Sequence, residues 1–149
     1  MDFKIDKMSL EDLISIKDIL TTEFDDFWNY EILKSELESN NSYFFVAKNI
    51  SGEIVGFAGI KIILDEADIM NIVIKKDFRN NGIGSLLLDY LISYSKSINL
   101  KTITLEVNEI NIPAIKLYEK FDFEKLGIRK KYYNGENDAI IMSKKIKLI

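Results

Sequence analysis

Residues 67 to 107 contain a strand, a helix and a second strand in direct succession, which favours a mixed α/β sheet. "ADIMNIVI" at 67 to 74 is apolar and rich in β-branched residues, as strands are. "TITLEV" at 102 to 107 alternates apolar and polar residues, as a half-buried strand does. Between them, apolar residues recur at helical spacing, namely Ile83, Leu86, Leu87, Tyr90, Leu91 and Tyr94. We therefore expect two parallel strands joined by a right-handed crossover.

The rest of the chain is predicted to add shorter elements on both sides of this unit. Period and turn signals place strands near 3–5, 43–47, 54–64, 123–132 and 138–146, and helices from Ser9, near 31–38 and after Asn111. "NG" at 134 and 135 is a strong hairpin signal. The sequence thus predicts one α/β (α+β) domain over residues 1–149, with a mixed, mostly antiparallel twisted sheet of about seven strands and about four flanking helices.

The 149-residue chain contains no cysteine and no histidine, and this absence excludes several kinds of chemistry. Thiol nucleophiles, Ser–His–Asp triads, Cys/His zinc sites and His-ligated haem all need one of these residues. Any proton transfer must therefore use Glu, Asp, Lys, Tyr or water. An all-oxygen metal site would still be possible, but no acidic cluster has the loop spacing of one, so we predict no metal.

Charge and hydropathy limit the classes of partner that the chain is expected to bind. The net charge is −4 and the pI is about 5.0, which argues against bulk electrostatic binding of nucleic acid. No apolar run approaches the length of a membrane span, and the first residues lack the apolar core of a signal peptide. We therefore expect a cytoplasmic protein without nucleic-acid or membrane partners, either a monomer or a weak homodimer.

The segment "KKDFRNNGIG" connects the first strand of the central unit to its helix. The N–H groups of a helix's first turn have no partner inside the helix, and the helix dipole adds partial positive charge there. Glycines allow a ligand to approach closely, and Arg79 adds a formal charge. The segment is not a Walker A loop, and Leu87 stands where a dinucleotide fingerprint has its third glycine. From these residues alone, the segment is either a phosphate site or an ordinary helix start.

The motif "RNNGIG", followed by a helix and a strand, resembles the acetyl-CoA loop of the GCN5-related N-acetyltransferase (GNAT) family, Arg/Gln-x-x-Gly-x-Gly/Ala. "LEVNEINIPAIKLYEKFDF" at 105 to 123 resembles the strand-and-helix motif of that family, with Asp122 in place of the usual glycine. With "DEADIMNIVI" and "IRKKYYNGENDAIIM", these segments are similar to the RimI-type ribosomal-protein alanine N-acetyltransferases over most of residues 65 to 142. The first 50 residues match only in element order and in "FW" at 27 and 28.

The resemblance implies acetyl-CoA as the cofactor, with its pyrophosphate on the backbone N–H groups of residues 81 to 85. The residues implied to bind the cofactor are Ile72, Val73, Ile74, Arg79, Asn80, Asn81, Gly82, Ile83, Gly84, Ser85, Asn111 and Tyr118. The residues implied to contact the acceptor substrate are Asn71, Tyr133 and Asp138.

Acetyl transfer from a thioester to an amine needs one group that removes the amine proton and one that protonates the leaving thiolate. By resemblance, Glu106 is the general base, acting through water, and Tyr118 donates to the thiolate of CoA. From the residues alone, Glu106 fits a solvated strand face equally well, and Tyr118 fits a core position with a satisfied hydroxyl. Asn111 is suited to cap a helix whether or not it also touches the cofactor.

The sequence thus favours an acetyl-CoA-dependent N-acetyltransferase that acts on the N-terminal α-amine of a protein, with a ribosomal protein as a candidate acceptor. Without a thiol nucleophile, the acetyl group would pass directly to the amine in a ternary complex. An α-amine has a reference pKa of about 7.7–8.0, so a weak base suffices. Three alternatives remain open: acetylation of a small-molecule amine, a non-catalytic module that binds acyl-CoA, and a scaffold without a ligand.

Overall fold

Seven β-strands form one sheet in the computed structural model, which describes residues 2–24, 29–133 and 135–146. The strands are β1 (Lys4–Lys7), β2 (Ser42–Lys48), β3 (Ile54–Ile63), β4 (Glu66–Ile74), β5 (Thr102–Asn108), β6 (Glu124–Tyr133) and β7 (Asn137–Lys145). Their order in the sheet is β1-β2-β3-β4-β5-β7-β6. β4 and β5 run parallel, whereas the pairs β1–β2, β2–β3, β5–β7 and β6–β7 are antiparallel. The predicted mixed, mostly antiparallel sheet is confirmed.

Among the residues that the structure describes, four α-helices lie between these strands in the predicted order. They are α1 (Leu10–Ser15), α2 (Tyr30–Leu37), α3 (Ile83–Ser97) and α4 (Ile112–Lys120). Short 3₁₀ helices span Lys17–Ile19 and Lys76–Phe78, and a π-helical turn spans Leu20–Phe24. In the described part of the chain, no helix is both long enough and apolar enough to cross a bilayer.

The helix predicted from Ser9 begins as expected but changes type along its length. Ser9 accepts a hydrogen bond from the N–H of Asp12, and the Asp12 carboxylate accepts one from the N–H of Ser9, which completes a capping box. The apolar side chains on its predicted face, Leu13, Ile16, Leu20 and Phe24, are all at most 4% exposed. Because burial of this face is kept while α1 gives way to 3₁₀ and π turns, packing decides which side chains point inward.

The chain divides into two compact units, one made of Met1–Lys61 and Met70–Leu91 and the other of Ile62–Ile69 and Ile92–Ile149. The core of the first unit joins the α1 and α2 faces to β2 and β3, through residues that include Leu13, Leu33, Phe44 and Phe57. The second unit buries the inward side of β5, as its alternation predicts, with Ile103, Leu105 and Val107 at most 5% exposed. The extent of one domain over residues 1–149 stays a prediction.

The buried side of α3 differs from the predicted stripe at one position. Leu86 is 37% exposed, whereas Leu88 is fully buried together with Ile83, Leu87 and Leu91. Both leucines fit a helical apolar stripe, because the run "SLLLDYL" offers three neighbouring leucines to choose from. The spacing that predicted the helix includes Leu86, but the buried stripe is rotated toward Leu88.

The β6–β7 hairpin is confirmed by its antiparallel pairing, although Asn134 and the "FW" at 27 and 28 lie outside the described residues. Gly135 has a φ of 69°, the left-handed conformation for which glycine is favoured. The N–H of Glu136 donates to the carbonyl of Tyr133 at 3.0 Å, which closes the turn. The Asn-Gly signal thus correctly located the reversal between the two strands.

Candidate active site

The loop between β4 and α3 leaves the first turn of α3 without backbone partners. The first helical hydrogen bond runs from the N–H of Leu86 to the carbonyl of Gly82 at 3.1 Å, and no acceptor is described for the N–H groups of residues 83–85. Asn80 and Gly82 have φ values of 66° and 76°. A Cβ placed on Gly82 would meet no atom within 4 Å, so the space beside this position is open. These features are suited to a ligand whose anionic group binds at the N-terminus of α3.

Side chains of the loop fold back onto its own backbone and onto an earlier segment. The amide of Asn81 donates to the carbonyls of Phe78 at 3.0 Å and Arg79 at 3.2 Å. The guanidinium of Arg79 donates to the carbonyl of Phe24 at 3.4 Å and is otherwise exposed. Because this bond uses only part of its donor set, Arg79 keeps donors that an anionic ligand could use, and its role at the edge of the loop stays a prediction.

Lys75, just before the loop, is already neutralised by carboxylates. Its ammonium lies 2.6 Å from a carboxylate oxygen of Glu53 and 3.4 Å from one of Glu23. The hydrogen bond to Glu53, ahead of the contact with Glu23, raises the pKa of Lys75 above its usual value. Among the charged residues described near the loop, Arg79 is therefore better placed than Lys75 to meet an anionic ligand.

The β4 residues that the resemblance assigns to the cofactor or to the acceptor differ in their surroundings. The Val73 side chain is 3% exposed and belongs to the core of the first unit. The side-chain nitrogen of Asn71 is buried and has no hydrogen-bond partner in the described structure. An orphaned buried donor is costly unless a ligand satisfies it, so Asn71 is suited to bind one.

Glu106 lies on the polar side of β5, as predicted, but its carboxylate is not solitary. Oε1 of Glu106 forms a salt bridge with Nη2 of Arg129 at 2.9 Å. The Glu106 side chain is 26% exposed. Arg129 lies on β6, with β7 between it and β5, and its neighbour on β7 is the small residue Ala139. The candidate base is therefore held by a cation that sequence reasoning did not assign to the site.

Tyr118 faces inward from α4 and is only 9% exposed. Its ring packs against Phe123 at 5.8 Å between centroids, and no hydrogen bond to its hydroxyl is described. Burial, together with the nearby Tyr133, raises the pKa of Tyr118 to about 12. The hydroxyl therefore stays protonated at neutral pH and can donate, which suits a general acid.

Tyr133 lies near both candidate catalytic groups. The Glu106 carboxylate affects the pKa of Tyr133, and Tyr133 in turn affects the pKa of Tyr118. Burial raises the pKa of Tyr133, and the Glu106 carboxylate raises it further. The ring of Tyr133 meets that of Tyr132 edge-on at 5.1 Å. Lys131, two residues earlier, has a φ of 47° at an irregularity in the β6–β7 pairing. The second unit thus brings Glu106, Tyr118 and Tyr133 into one neighbourhood.

Asp138 and Asn111 are engaged in local structure. The Asp138 carboxylate accepts from the N–H of Lys131 at 2.8 Å and pairs with the ammonium of Lys130 at 3.5 Å. The Lys131 N–H, with Lys130 adding to it, lowers the pKa of Asp138. The side chain of Asn111 accepts from the N–H of Ala114 at 3.3 Å, the predicted N-cap of α4. Substrate contact by Asp138 would have to compete with these partners.

The second unit also contains functional candidates that were missed from the sequence, Arg129 and Tyr132. The guanidinium of Arg129 lies 4.7 Å from the centroid of the Tyr132 ring, a cation–π distance. The sequence signal was the basic run "IRKKYY", but only the strand order β5-β7-β6 reveals that Arg129 reaches Glu106.

The chain is similar in sequence and in fold to known acetyltransferases. The acetyltransferase (GNAT) family model matches residues 13–123. A Bacillus subtilis protein named as a candidate ribosomal protein bS18-alanine N-acetyltransferase is 36% identical over 137 residues, 91% of this chain and 90% of the relative. The crystal structure of the Escherichia coli ribosomal-protein-S18-alanine N-acetyltransferase matches with a TM-score of 0.89 and 30% identity, covering 99% and 96% of the two chains. Arabidopsis thaliana NAA60 in complex with acetyl-CoA has the same fold, with a TM-score of 0.83, 20% identity and coverage of 97% and 99%. The predicted family resemblance is confirmed.

Proposed function

Because this chain belongs to the acetyltransferase (GNAT) family, and so is an N-acetyltransferase that uses acetyl-CoA, we propose specific roles for its residues in acetylating protein N-termini. The observation that carries the proposal is the pair formed by a half-buried carboxylate, Glu106, and a buried phenol, Tyr118, in the same compact unit. One group can accept a proton and the other can donate one, as amine acetylation requires.

The loop residues supply the cofactor site in this proposal. The N–H groups of residues 81–85, with Arg79 at the edge, hold the pyrophosphate, and Asn80 and Gly82 give the loop its left-handed turns. The backbone of Ile72, Val73 and Ile74 lines the arm of the cofactor. Asn111 touches the cofactor at the start of α4 while it caps that helix. Bound acetyl-CoA supplies the activated acetyl group as a thioester.

Glu106 and Tyr118 move the two protons of the transfer. Glu106, through water, removes a proton from the acceptor amine, which then attacks the acetyl carbonyl. Tyr118 donates its hydroxyl proton to the sulfur that leaves. With no thiol in the chain, we expect the acetyl group to pass directly in a ternary complex.

The acceptor in this proposal is the N-terminal α-amine of a protein, and an N-terminal alanine is the first to test. Support comes from the names of two similar proteins, which describe alanine N-acetyltransferases of a ribosomal protein. Asn71 and Tyr133 contact the acceptor, and Asp138 contributes if its lysine partners release it. A ribosomal acceptor would place the enzyme in the cytoplasm, and we infer one catalytic domain over residues 1–149.

The decisive experiment is a panel of acceptors incubated with acetyl-CoA, with thiol release as the readout. The panel contains peptides with N-terminal alanine followed by different second residues, the same peptides with a blocked N-terminus and a free lysine, and free polyamines. We expect thiol release only with free N-termini, and mass spectrometry should locate the acetyl group on the α-amine. Acetylation of polyamines alone would support the small-amine alternative.

The non-catalytic alternatives are separated by measuring binding alongside turnover. Calorimetry that detects acetyl-CoA binding without thiol release from any acceptor would indicate an acyl-CoA-binding module. Absence of both binding and turnover would favour a scaffold. Glu106→Gln and Tyr118→Phe should each lower turnover by about 10²-fold or more with acetyl-CoA affinity largely unchanged. If neither substitution slows the reaction, the acid and base roles are wrong.

A further inference from the structure

Arg129 occupies one oxygen of the proposed base and leaves the other open. Nη2 of Arg129 lies 2.9 Å from Oε1 of Glu106, whereas no partner of Oε2 is found in the described part of the chain. A glutamate side chain can adopt many rotamers, and fixing one of them costs conformational entropy. An ion pair that is already formed supplies this restriction before the substrate arrives.

The position of Arg129 is itself restrained from two sides. Its guanidinium packs at 4.7 Å from the ring centroid of Tyr132, and that ring meets Tyr133 edge-on at 5.1 Å. The residue paired with Arg129 on β7 is Ala139, which is fully buried. Its side chain is a single methyl group, so it leaves room between Arg129 and β5. The two strands β5 and β6 lie about 10 Å apart, which is two strand spacings. The long, planar side chain of Arg129 can therefore cross β7 and reach the side chain of Glu106, which extends toward it.

We propose that Arg129 is a positioning residue that holds the Glu106 carboxylate through Oε1 and directs Oε2 toward the acceptor amine. This inference rests on the proposed function, in which Glu106 is the general base. It assigns Arg129 no direct contact with substrate or cofactor. Tyr132 acts one step further away, because its ring supports the guanidinium that supports the carboxylate.

Removal of the Arg129 side chain should lower activity to an extent that depends on how much of the acceptor amine is protonated. A peptide α-amine with a reference pKa of about 7.7–8.0 is mostly protonated at pH 7 and mostly neutral at pH 9. A residue that acts only by orienting the base should therefore matter at pH 7 and matter little at pH 9. A residue that only supports the fold should matter equally at both.

The test compares kcat/KM for an N-terminal alanine peptide in the unchanged protein and in Arg129→Gln, at pH 7 and at pH 9. We expect a loss of about tenfold or more at pH 7 that shrinks to about twofold at pH 9, because general-base catalysis is worth about 10²–10⁴-fold when needed. Arg129→Lys should restore only part of the pH 7 rate, since it keeps the charge but loses the planar guanidinium that packs on Tyr132. Lys125→Gln, which removes an exposed charge from the same strand, is the matched control and should behave like the unchanged protein.

The outcomes separate the inference from the function on which it rests. An equal loss at both pH values, or no loss at either, would overturn the positioning role while leaving the acetyltransferase proposal intact. A rise in the Kd for acetyl-CoA in Arg129→Gln would show that the residue serves the cofactor and would also overturn the inference. No turnover of any N-terminal peptide by the unchanged protein would overturn both.

Discussion

The Tyr118 hydroxyl owes its protonation state to burial rather than to a hydrogen bond. With the side chain 9% exposed, the phenolate is poorly solvated, and the pKa rises to about 12. A general acid must keep its proton over the pH range in which the amine loses its own. The buried site therefore separates the two titrations by several pH units, since an α-amine titrates near pH 8.

This separation predicts a pH profile without a descending limb in the ordinary alkaline range. Because the pKa of Tyr118 is raised, its neutral form persists as pH rises, and kcat should not fall between pH 8 and pH 10. Tyr118→Phe should lower kcat by about 10²-fold across that range, with little change in the KM for acetyl-CoA. Steady-state kinetics at several pH values provide the measurement. A fall in kcat of the unchanged protein centred near pH 9 would contradict this role.

Single residues also mark the limit of what the sequence could predict. Glu106 and Tyr118 were predicted as base and acid because each stands in a recognisable motif. Arg129 was not, because its partner is 23 residues away along the chain and is reached only across β7. Asp138 was predicted to contact the acceptor, but the N–H of Lys131 and the ammonium of Lys130 already engage its carboxylate. Contacts of this kind depend on strand order and on a local irregularity, neither of which periodicity encodes.

The C-terminus of α4 shows how an element ends with an unusual residue. The N–H of Phe123 donates to the carbonyl of Tyr118, and the N–H of Asp122 donates to that of Glu119, both at 3.0 Å. This is the Schellman arrangement, and Asp122 takes its left-handed position with a φ of 67°. The family motif that this segment resembles has glycine here, and aspartate adopts the same conformation at a steric cost.

Relieving this cost should stabilise the protein. Asp122→Gly should raise the free energy of unfolding by about 0.5–1 kcal/mol, whereas Asp122→Ala should lower it by a similar amount, because alanine lacks the local hydrogen bonding that helps aspartate there. The ion pair of Asp122 with Lys144, at 4.0 Å and with Asp122 90% exposed, is expected to add little. Thermal and urea unfolding would measure both variants. Equal effects of the two substitutions would show that conformation at this position does not limit stability.

The loop before α3 offers a second prediction for an element. Gly82→Ala and Gly52→Ala both place a Cβ at positive φ, 76° and 87°, in open space. Each should therefore cost about 1 kcal/mol of stability through backbone strain. Only Gly82→Ala should also raise the Kd for acetyl-CoA, by about fivefold or more, since only that loop is proposed to hold the pyrophosphate. Calorimetry on both variants checks this, and an unchanged Kd in Gly82→Ala would count against the site.

At the level of elements, most of the architecture followed from periodicity and caps. β5 alternates strictly and is half buried, and Ser9 and Asn111 cap the helices for which they were predicted. The 3₁₀ and π turns after α1 were not foreseen, since Leu13, Ile16, Leu20 and Phe24 satisfy an ideal helical face. Helix type there is set by how the segment packs, and that information is not local.

Across the whole molecule, the absence of cysteine determines the kinetic mechanism to be expected. A ping-pong mechanism would need a residue that carries the acetyl group, and thiols are the usual carriers. Direct attack requires acetyl-CoA and acceptor to be bound together, so initial rates should give intersecting rather than parallel double-reciprocal lines. Incubation with acetyl-CoA alone should leave the mass of the intact protein unchanged.

A thiol-directed reagent tests the same conclusion independently. Because the chain has no cysteine, prior treatment with N-ethylmaleimide, followed by removal of the reagent, should leave kcat and both KM values within error. For the same reason the protein contributes no background to a thiol-release assay, so every thiol detected comes from CoA. Parallel double-reciprocal lines, or a mass increase that matches one acetyl group before acceptor is added, would require a covalent intermediate. The candidates would then be the remaining nucleophiles of the chain, its lysines, hydroxyls and carboxylates, and the direct route from thioester to amine would have to be abandoned.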